Sequence, residues 1–265
     1  MFAACSQLNH SLATMLLIDI LRTWLFTIPV VAVLTAIGGT ASLMVSIFSS
    51  TGRWQHEVAR VWARAVLFVS GVKVTVEGLE KIPPGGSFVF IANHRSFYDI
   101  PLVLPWIHVQ VRFLAKKSLF SVPFLGTHLK RAGHLVVNHS NARESLRTMS
   151  DAARVILERE VSILLFPEGG RTYGDLEPFK DGAAYIAIKA GVPVIPIGLI
   201  GAGKILGNHG RIIRPGPVHM KIGDPIYTID LTLADLKPLT HQMEERVGEL
   251  IGQKVVAPAT ESVGV

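Results

Sequence analysis

A histidine and an aspartate stand five residues apart in Asn93-His94-Arg95-Ser96-Phe97-Tyr98-Asp99, directly after the apolar run Ser87 to Ala92. A second cluster lies well downstream: Phe166-Pro167-Glu168-Gly169-Gly170-Arg171. The first group reads as a general base with its orienting carboxylate, the second as an anion-binding turn. A neutral histidine near pH 7 is basic enough to take a proton from a hydroxyl group. An aspartate on its other ring nitrogen fixes the tautomer, as in hydrolytic triads. The spacing sets a condition. In a regular helix, positions i and i+5 stand about 140° apart at 3.6 residues per turn and do not meet. They meet when His94 stays at a strand end and Asp99 lies one turn into the helix that follows. Pro101 favours an irregular backbone just before it. The bland alternative for such a pair is a surface histidine and a helix-capping aspartate.

The two glycines of the second cluster let backbone approach a ligand closely and expose its N–H groups. Arg171 can grip a phosphate through two parallel hydrogen bonds. Glu168 either orients Arg171 or holds a substrate hydroxyl. A plain tight turn after a strand is the alternative. Lys116, Lys117, Lys130 and Arg131 flank the apolar stretch Leu119 to Leu125. They are either solvated charges on an interfacial helix pair or contacts to substrate phosphates, and Lys116 is also a candidate oxyanion donor. Arg211 and Arg214, in a Gly- and Pro-containing loop, leave the same two readings. Val192-Pro193-Val194-Ile195-Pro196 is either a buried strand entry or one wall of a channel for an alkyl chain. In such a channel each buried methylene contributes about 0.8 kcal/mol.

No G-x-S-x-G nucleophile elbow is present, and Ser96 lacks that context. The expected chemistry is therefore direct attack by a hydroxyl that His94 deprotonates. No His/Cys/carboxylate cluster suggests a metal, and no tightly bound cofactor is expected.

These residues need elements to hold them. Candidate strands are Val72–Val76, Phe88–Ala92, Val111–Leu114, Leu135–Val137, Ser162–Phe166, Val194–Ile200 and Val218–Ile222. The spacing predicts helices over Arg53–Phe68, Ala142–Glu158, Gly182–Ala190 and roughly Leu233–Gln253. Trp54, Val58, Val61, Trp62 and Ala65 form the expected apolar stripe of the first. Asn141 and Glu144 offer a capping box for the second. Gly191 and Pro193 end the third. Strands alternating with helices predict an α/β fold with a mainly parallel or mixed sheet flanked by helices. Ligands in such folds bind beyond the carboxyl ends of the strands, where both motifs begin.

The chain has 265 residues, 49% of them apolar, and a net charge of +6. The apolar excess is N-terminal: from Thr23 to Gly52 there is no Asp, Glu, Lys or Arg. As a straight helix Thr23–Ser49 reaches roughly 40 Å, against about 30 Å of bilayer hydrocarbon. This predicts a membrane-embedded helical segment, either one tilted span or a hairpin broken at Gly38-Gly39 with Pro29 as a kink. A buried helix of a soluble protein is the alternative. A signal peptide fits poorly, because the first ten residues carry no Lys or Arg. Arg53, Arg60 and Arg64 follow the run, whereas Arg22, offset by Asp19, precedes it; this bias predicts a catalytic domain on the cytoplasmic face. The expected organisation is residues 1–52 as anchor, 53–254 as α/β domain and 255–265 as a loose tail. The basic residues alternate with apolar ones, so anionic lipid head groups are the expected partner and nucleic acid is not. The single Cys5 excludes an intrachain disulfide.

From about Val72 to Pro225 the sequence resembles the glycerolipid acyltransferase family, most closely bacterial 1-acyl-sn-glycerol-3-phosphate acyltransferases. Asn93-His94 through Asp99 resembles the family's first block. Lys116-Lys117-Ser118-Leu119-Phe120 through Arg131-Ala132-Gly133 resembles the stretch leading into the second. Phe166 through Thr172 resembles the third, and Val192 through Pro196 the fourth. The resemblance implies that a fatty acyl chain moves from acyl-CoA or acyl carrier protein to the sn-2 hydroxyl of 1-acyl-glycerol-3-phosphate, giving phosphatidate. It implies His94 as base, Asp99 as its partner, and Glu168, Gly169, Gly170 and Arg171 as acceptor-binding residues. Two departures stand out. Asn138-His139 replaces an acidic or amide residue followed by arginine, and Gly170 replaces a threonine. His139 supplies only part of the lost positive charge. Another acceptor, a lyso-ornithine lipid or a further lysophospholipid, is therefore the alternative. A lipid thioesterase or lysophospholipase using the same base on water, and a non-catalytic lipid-binding membrane protein, are the remaining readings.

Overall fold

The computed structural model describes residues 14–48, 51–137, 142–172, 174–207 and 210–255. Its centre is a seven-stranded sheet in the order β1-β7-β6-β2-β5-β3-β4. The strands are β1 (Val72–Glu77), β2 (Val89–Ala92), β3 (Val111–Lys116), β4 (Leu135–Val137), β5 (Ser162–Leu165), β6 (Val194–Ile200) and β7 (Gly216–Ile222). All neighbours pair in parallel except β6 and β7. The sheet is thus mixed, with a parallel majority.

Position in the sheet explains each strand's composition. β1 is an edge strand and alternates, with Val72, Val74 and Val76 turned inward and Lys73, Thr75 and Glu77 exposed. β2 and β5 lie in the middle, and every residue of each is buried. Side chains alternate across a sheet. Phe90 and Ala92 of β2 accordingly enter one core with the helix Arg53–Ser70. Val89 and Ile91 enter a second core with the helices Ala142–Arg159, Gly182–Ala190 and Leu236–Ile251.

The N-terminal apolar region is one continuous helix, Thr14–Phe48, the one helix among the described residues long and apolar enough to cross a membrane. Gly38 and Gly39 lie inside it, so of the two forms considered for this segment the helix is continuous and the hairpin is not formed. A π-helical turn at Thr23–Thr27 stands just before Pro29. Proline has no N–H for the ordinary i→i−4 bond, and a widened turn accommodates that loss without ending the helix. The helix binds the domain along one face. Arg22 donates to the carbonyls of Ser70 and Ile213, each at 3.2 Å. Trp62 Nε1 donates to Thr35 Oγ1 at 3.2 Å, and Ser42 Oγ lies 2.7 Å from His128 Nδ1. At about 1.5 Å per residue, the contacts from Arg22 to Ser42 cover roughly 30 Å.

The helix Arg53–Ser70 forms as expected, but its inner face is not the predicted stripe. Gln55, His56, Ala63, Val66, Leu67 and Ser70 are buried. Trp54 and Val61, with Phe68, face outward at 60%, 63% and 85% exposure. Trp62 packs on the N-terminal helix at Gly38. This helix has two apolar sides, so periodicity finds a stripe but not which side the sheet takes.

Candidate active site

β2 and β5 are neighbours in register, Val89 opposite Ile163 and Ile91 opposite Leu165. The segments that leave their carboxyl ends therefore start side by side. This brings together two motifs that are 74 residues apart at His94 and Glu168.

The first segment is shaped by its own polar side chains. Asn93 Nδ2 donates to the carbonyl of Leu199, and Asn93 Oδ1 accepts from the Leu199 N–H, which fixes the end of β2 to β6. Ser96 Oγ donates to the carbonyl of Leu206 and accepts from the Tyr98 N–H. Ser96 is buried and so committed to backbone; it is not placed as a nucleophile. Asp99 opens the short helix Asp99–Val103 and is fully buried. Its Oδ2 accepts from His94 Nδ1 at 2.6 Å and from the backbone N–H groups of Arg95 and Ser96 at 2.8 and 2.9 Å. The aspartate lies at the start of the helix rather than one turn in. The irregular stretch between strand and helix folds back on itself around that carboxylate.

The His94 ring stacks on Phe166, with centroids 4.1 Å apart and planes at 13°. Its Nδ1 is taken by Asp99, which leaves Nε2 as the lone-pair nitrogen on an 18% exposed side chain. The His94 carbonyl accepts from the Thr172 N–H at 3.0 Å.

Glu168 does not face the substrate side. Its Oε1 accepts from the His94 N–H at 2.6 Å, and its Oε2 accepts from Thr172 Oγ1 at 2.7 Å and the Glu177 N–H at 3.2 Å. Arg95 Nη1 donates to Thr172 Oγ1, and Arg95 Nη2 lies 3.9 Å from Glu168 Oε2. Burial and these donors occupy both carboxylate oxygens, and Glu168 does not line the cavity that His94 and Arg171 share. Arg171 lies over the Phe97 ring, 3.6 Å from its centroid, an arrangement that fixes the guanidinium plane beside the first motif.

His94, Gly169, Gly170 and Arg171 open onto a cavity of about 990 Å³. Its walls are mostly apolar and reach Trp62, Thr35, Gly38 and Gly39, so the N-terminal helix forms part of it. Lys116 lines it as well, whereas Arg131 is exposed and does not. Val192, Pro193, Ile195 and Pro196 do not line it. Ile195, within β6, is fully buried in the core, because that run is a central strand and its entry. Of the two readings of that run the structure has the buried strand entry, and the cavity is walled by helices and by β3. Arg214 pairs with Asp19 at 3.9 Å and so belongs to the contact with the N-terminal helix. His139, Asn138 and the cap residue Asn141 lie outside the described residues. Lys180 also lines the cavity, and neither sequence motif contains it. The available signal was a lysine between the Gly169-Gly170 turn and the helix starting at Gly182.

Three histidines and an arginine form a polar knot, in which His56 and Arg112 are buried and His128 and His134 line the cavity. His56 and His128 are both lowered to about 4, mainly by burial and then by the positive charge of Arg112. Burial holds His134 well below the ordinary histidine range. Arg112 is itself lowered to about 10 by burial. Among the described residues no group of His, Cys, Asp or Glu is arranged to hold a metal ion.

The sequence model of a family described as Acyltransferase matches residues 73–200. A 1-acyl-sn-glycerol-3-phosphate acyltransferase of Haemophilus influenzae is 36% identical over 172 residues, which cover 61% of this chain and 69% of that protein. The chain belongs to the acyltransferase family. A chloroplastic 1-acyl-sn-glycerol-3-phosphate acyltransferase of Brassica napus is 34% identical over 179 residues, 66% of this chain and 51% of that protein. The chain thus spans about half the length of such plant relatives. The fold is also that of an acyltransferase. The crystal structure of the 1-acyl-sn-glycerophosphate acyltransferase PlsC of Thermotoga maritima superposes with a TM-score of 0.73 at 25% identity, covering 88% of this chain and 97% of that one. The region matched to the family contains both motifs and Lys180. The apolar N-terminal helix marks the chain for association with a membrane.

Proposed function

We propose that this acyltransferase moves a fatty acyl chain from acyl-CoA or acyl carrier protein to the sn-2 hydroxyl of 1-acyl-glycerol-3-phosphate, giving phosphatidate. The observation that carries this reading is the His94–Asp99 pair at 2.6 Å, with Nε2 open to a large apolar cavity that also holds Arg171. The bacterial and plant relatives, both 1-acyl-sn-glycerol-3-phosphate acyltransferases, support the same reaction.

His94 Nε2 takes the proton of the acceptor hydroxyl as that oxygen attacks the thioester carbonyl. A C–O bond forms and the carbonyl oxygen becomes an oxyanion, held by backbone N–H groups or Lys116. The tetrahedral species collapses, the C–S bond breaks, and the proton on His94 passes to the leaving thiolate. No enzyme-bound acyl group is formed. Asp99 holds the ring and stabilises the imidazolium. General-base catalysis of this kind contributes about 10²–10⁴ in rate. Positioning of two bound substrates accounts for a further large share. Arg171, with the Gly169-Gly170 turn, binds the acceptor phosphate, and the cavity takes the acyl chain.

Residues 1–52 act as the anchor and residues 53–254 as the acyltransferase domain, on the cytoplasmic face. The N-terminal helix touches the domain at Arg22 and at Ser42, which favours a helix lying in one leaflet beside the domain over one crossing the bilayer alone. A lysolipid with another head group is the second reading, motivated by Asn138-His139 and Gly170 in place of the usual residues.

The test is acyl transfer by the purified, detergent-solubilised chain, with acyl-CoA and acyl carrier protein donors. Lysophosphatidate, two other lysophospholipids and a lyso-ornithine lipid serve as acceptors, with His94→Ala in parallel. Phosphatidate made only by the wild type is the expected result. His94-dependent product from another acceptor would move the function, and turnover by a folded His94→Ala chain would sink the mechanism.

A further inference from the structure

The Pro167–Gly170 turn has a cation beside it that neither motif contains. The backbone N–H of Lys180 donates to the Pro167 carbonyl at 3.0 Å, which ties this lysine to the turn. Its side chain folds over Gly169. A Cβ built on that glycine would overlap the ammonium nitrogen and lie 2.9 Å from Cε and 3.1 Å from Cδ. Gly169 therefore makes room for Lys180, in addition to adopting a φ of +77°. Lys180 opens onto the same cavity as His94, Gly170 and Arg171.

Two of the neighbouring acids are already committed. Glu168 accepts from His94, Thr172 and Glu177. Asp181 pairs with Lys237 at 2.7 Å and accepts from Thr240. Among the described residues Lys180 enters no ion pair. The lysine thus stands at the cavity wall, positioned by a backbone bond and a glycine, and among the described residues no carboxylate pairs with it. Arg171 is held beside the same turn by Phe97.

We propose that Lys180 is a substrate-binding residue that, with Arg171, forms a two-cation cradle for a phosphate monoester and so selects that class of acceptor. The proposal rests on the acceptor reading above. A phosphate monoester carries about −1.5 to −2 charge near pH 7, and a second cation matches its second charge. A phosphodiester head group carries one phosphate charge and has less to gain from Lys180. The lysine acts on recognition, not on proton transfer, which belongs to His94.

The experiment uses the full-length purified chain as wild type, Lys180→Met and Lys180→Arg. Each is assayed with lysophosphatidate and with lysophosphatidylglycerol, a phosphodiester, and each is checked by thermal melting. Lys180→Met is expected to lower kcat/KM for lysophosphatidate by roughly tenfold to a hundredfold, the usual scale for a lost charge-assisted hydrogen bond. The loss falls on KM, the melting temperature stays at the wild-type value, and the phosphodiester reaction changes far less. Lys180→Arg keeps most of the activity. Equal losses on both acceptors, a loss confined to kcat, or no loss would each overturn the cradle. Absence of phosphatidate with the wild type would instead bring down the acceptor reading, and the two failures are told apart by that control.

Discussion

Glu168 Oε1 accepts a hydrogen bond from the backbone N–H of His94 at 2.6 Å. One buried carboxylate therefore joins the segment after β5 to the residue whose ring carries the lone pair. Its other oxygen holds Thr172 and Glu177. Glu168→Gln keeps the size but cannot accept at all these donors. It is expected to cost about 1–3 kcal/mol of stability. It should lower kcat while leaving the acceptor KM near the wild-type value. Melting curves and steady-state kinetics check both parts. A selective rise in acceptor KM would restore Glu168 to a ligand-binding role.

Asp99 Oδ2 collects three N–H groups, from the His94 ring and from the backbone of Arg95 and Ser96. Asp99→Asn leaves one acceptor oxygen where a full charge was used and gives up the imidazolium's partner. Turnover is expected to fall on the order of 10²–10⁴-fold. The chain should still fold, as judged by circular dichroism. Wild-type turnover in the variant would show that ring orientation does not depend on the carboxylate.

Gly169 and Gly170 are adjacent but not equivalent. Gly169 sits at a φ of +77° under the Lys180 side chain, whereas a Cβ at Gly170 would meet nothing within 4 Å. Gly169→Ala is expected to cost about 1–3 kcal/mol through backbone strain and displacement of the lysine. Gly170→Thr should fold and melt like the wild type. Comparable melting temperatures for the two variants would contradict this distinction.

The histidine knot makes stability depend on pH. His56 and His128 are lowered to about 4 in the folded protein, against about 6.5 for the free side chain. The folded state therefore holds both rings neutral, and as pH falls the unfolded chain takes up protons first. Their contribution is fully present above about pH 6.5 and is lost as pH falls through about 4, on the order of a few kcal/mol in total. The melting temperature should be flat above pH 7 and decline below 6.5. The decline should be shallower in His56→Asn and His128→Asn. Unchanged slopes in both variants would assign the pH dependence to other groups.

Much of this was readable from local pattern. Ile163-Leu164-Leu165 is continuously apolar because β5 is covered on both faces, and Val72, Val74 and Val76 alternate because β1 is an edge. The helix Gly182–Ala190 ends at Gly191 as its C-terminal glycine predicts. The contact between His94 and Asp99 was legible because a strand end followed by a helix start lets residues of that spacing meet. What sequence does not carry is direction. Glu168 reads equally well facing a ligand or facing the protein, and only the approach of β2 to β5 decides it. Val192–Pro196 is apolar enough for a channel wall, but its place between β2 and β7 puts it in the core. Trp54 and Val61 form a stripe on a helix whose other side the sheet covers. Lys180 was hidden because its partner is a glycine, which has no side chain to signal a contact.

Gly38 and Gly39 place the N-terminal helix in the wall of the cavity that holds His94. Trimming the chain at residue 52 to gain solubility would therefore open one side of that cavity as well as remove the apolar helix. A truncated chain could keep its sheet and its histidine while its chamber stood open to bulk water. In this protein, solubilisation by shortening and a closed site are competing goals, and detergent or lipid is the route that preserves both ends of the contact.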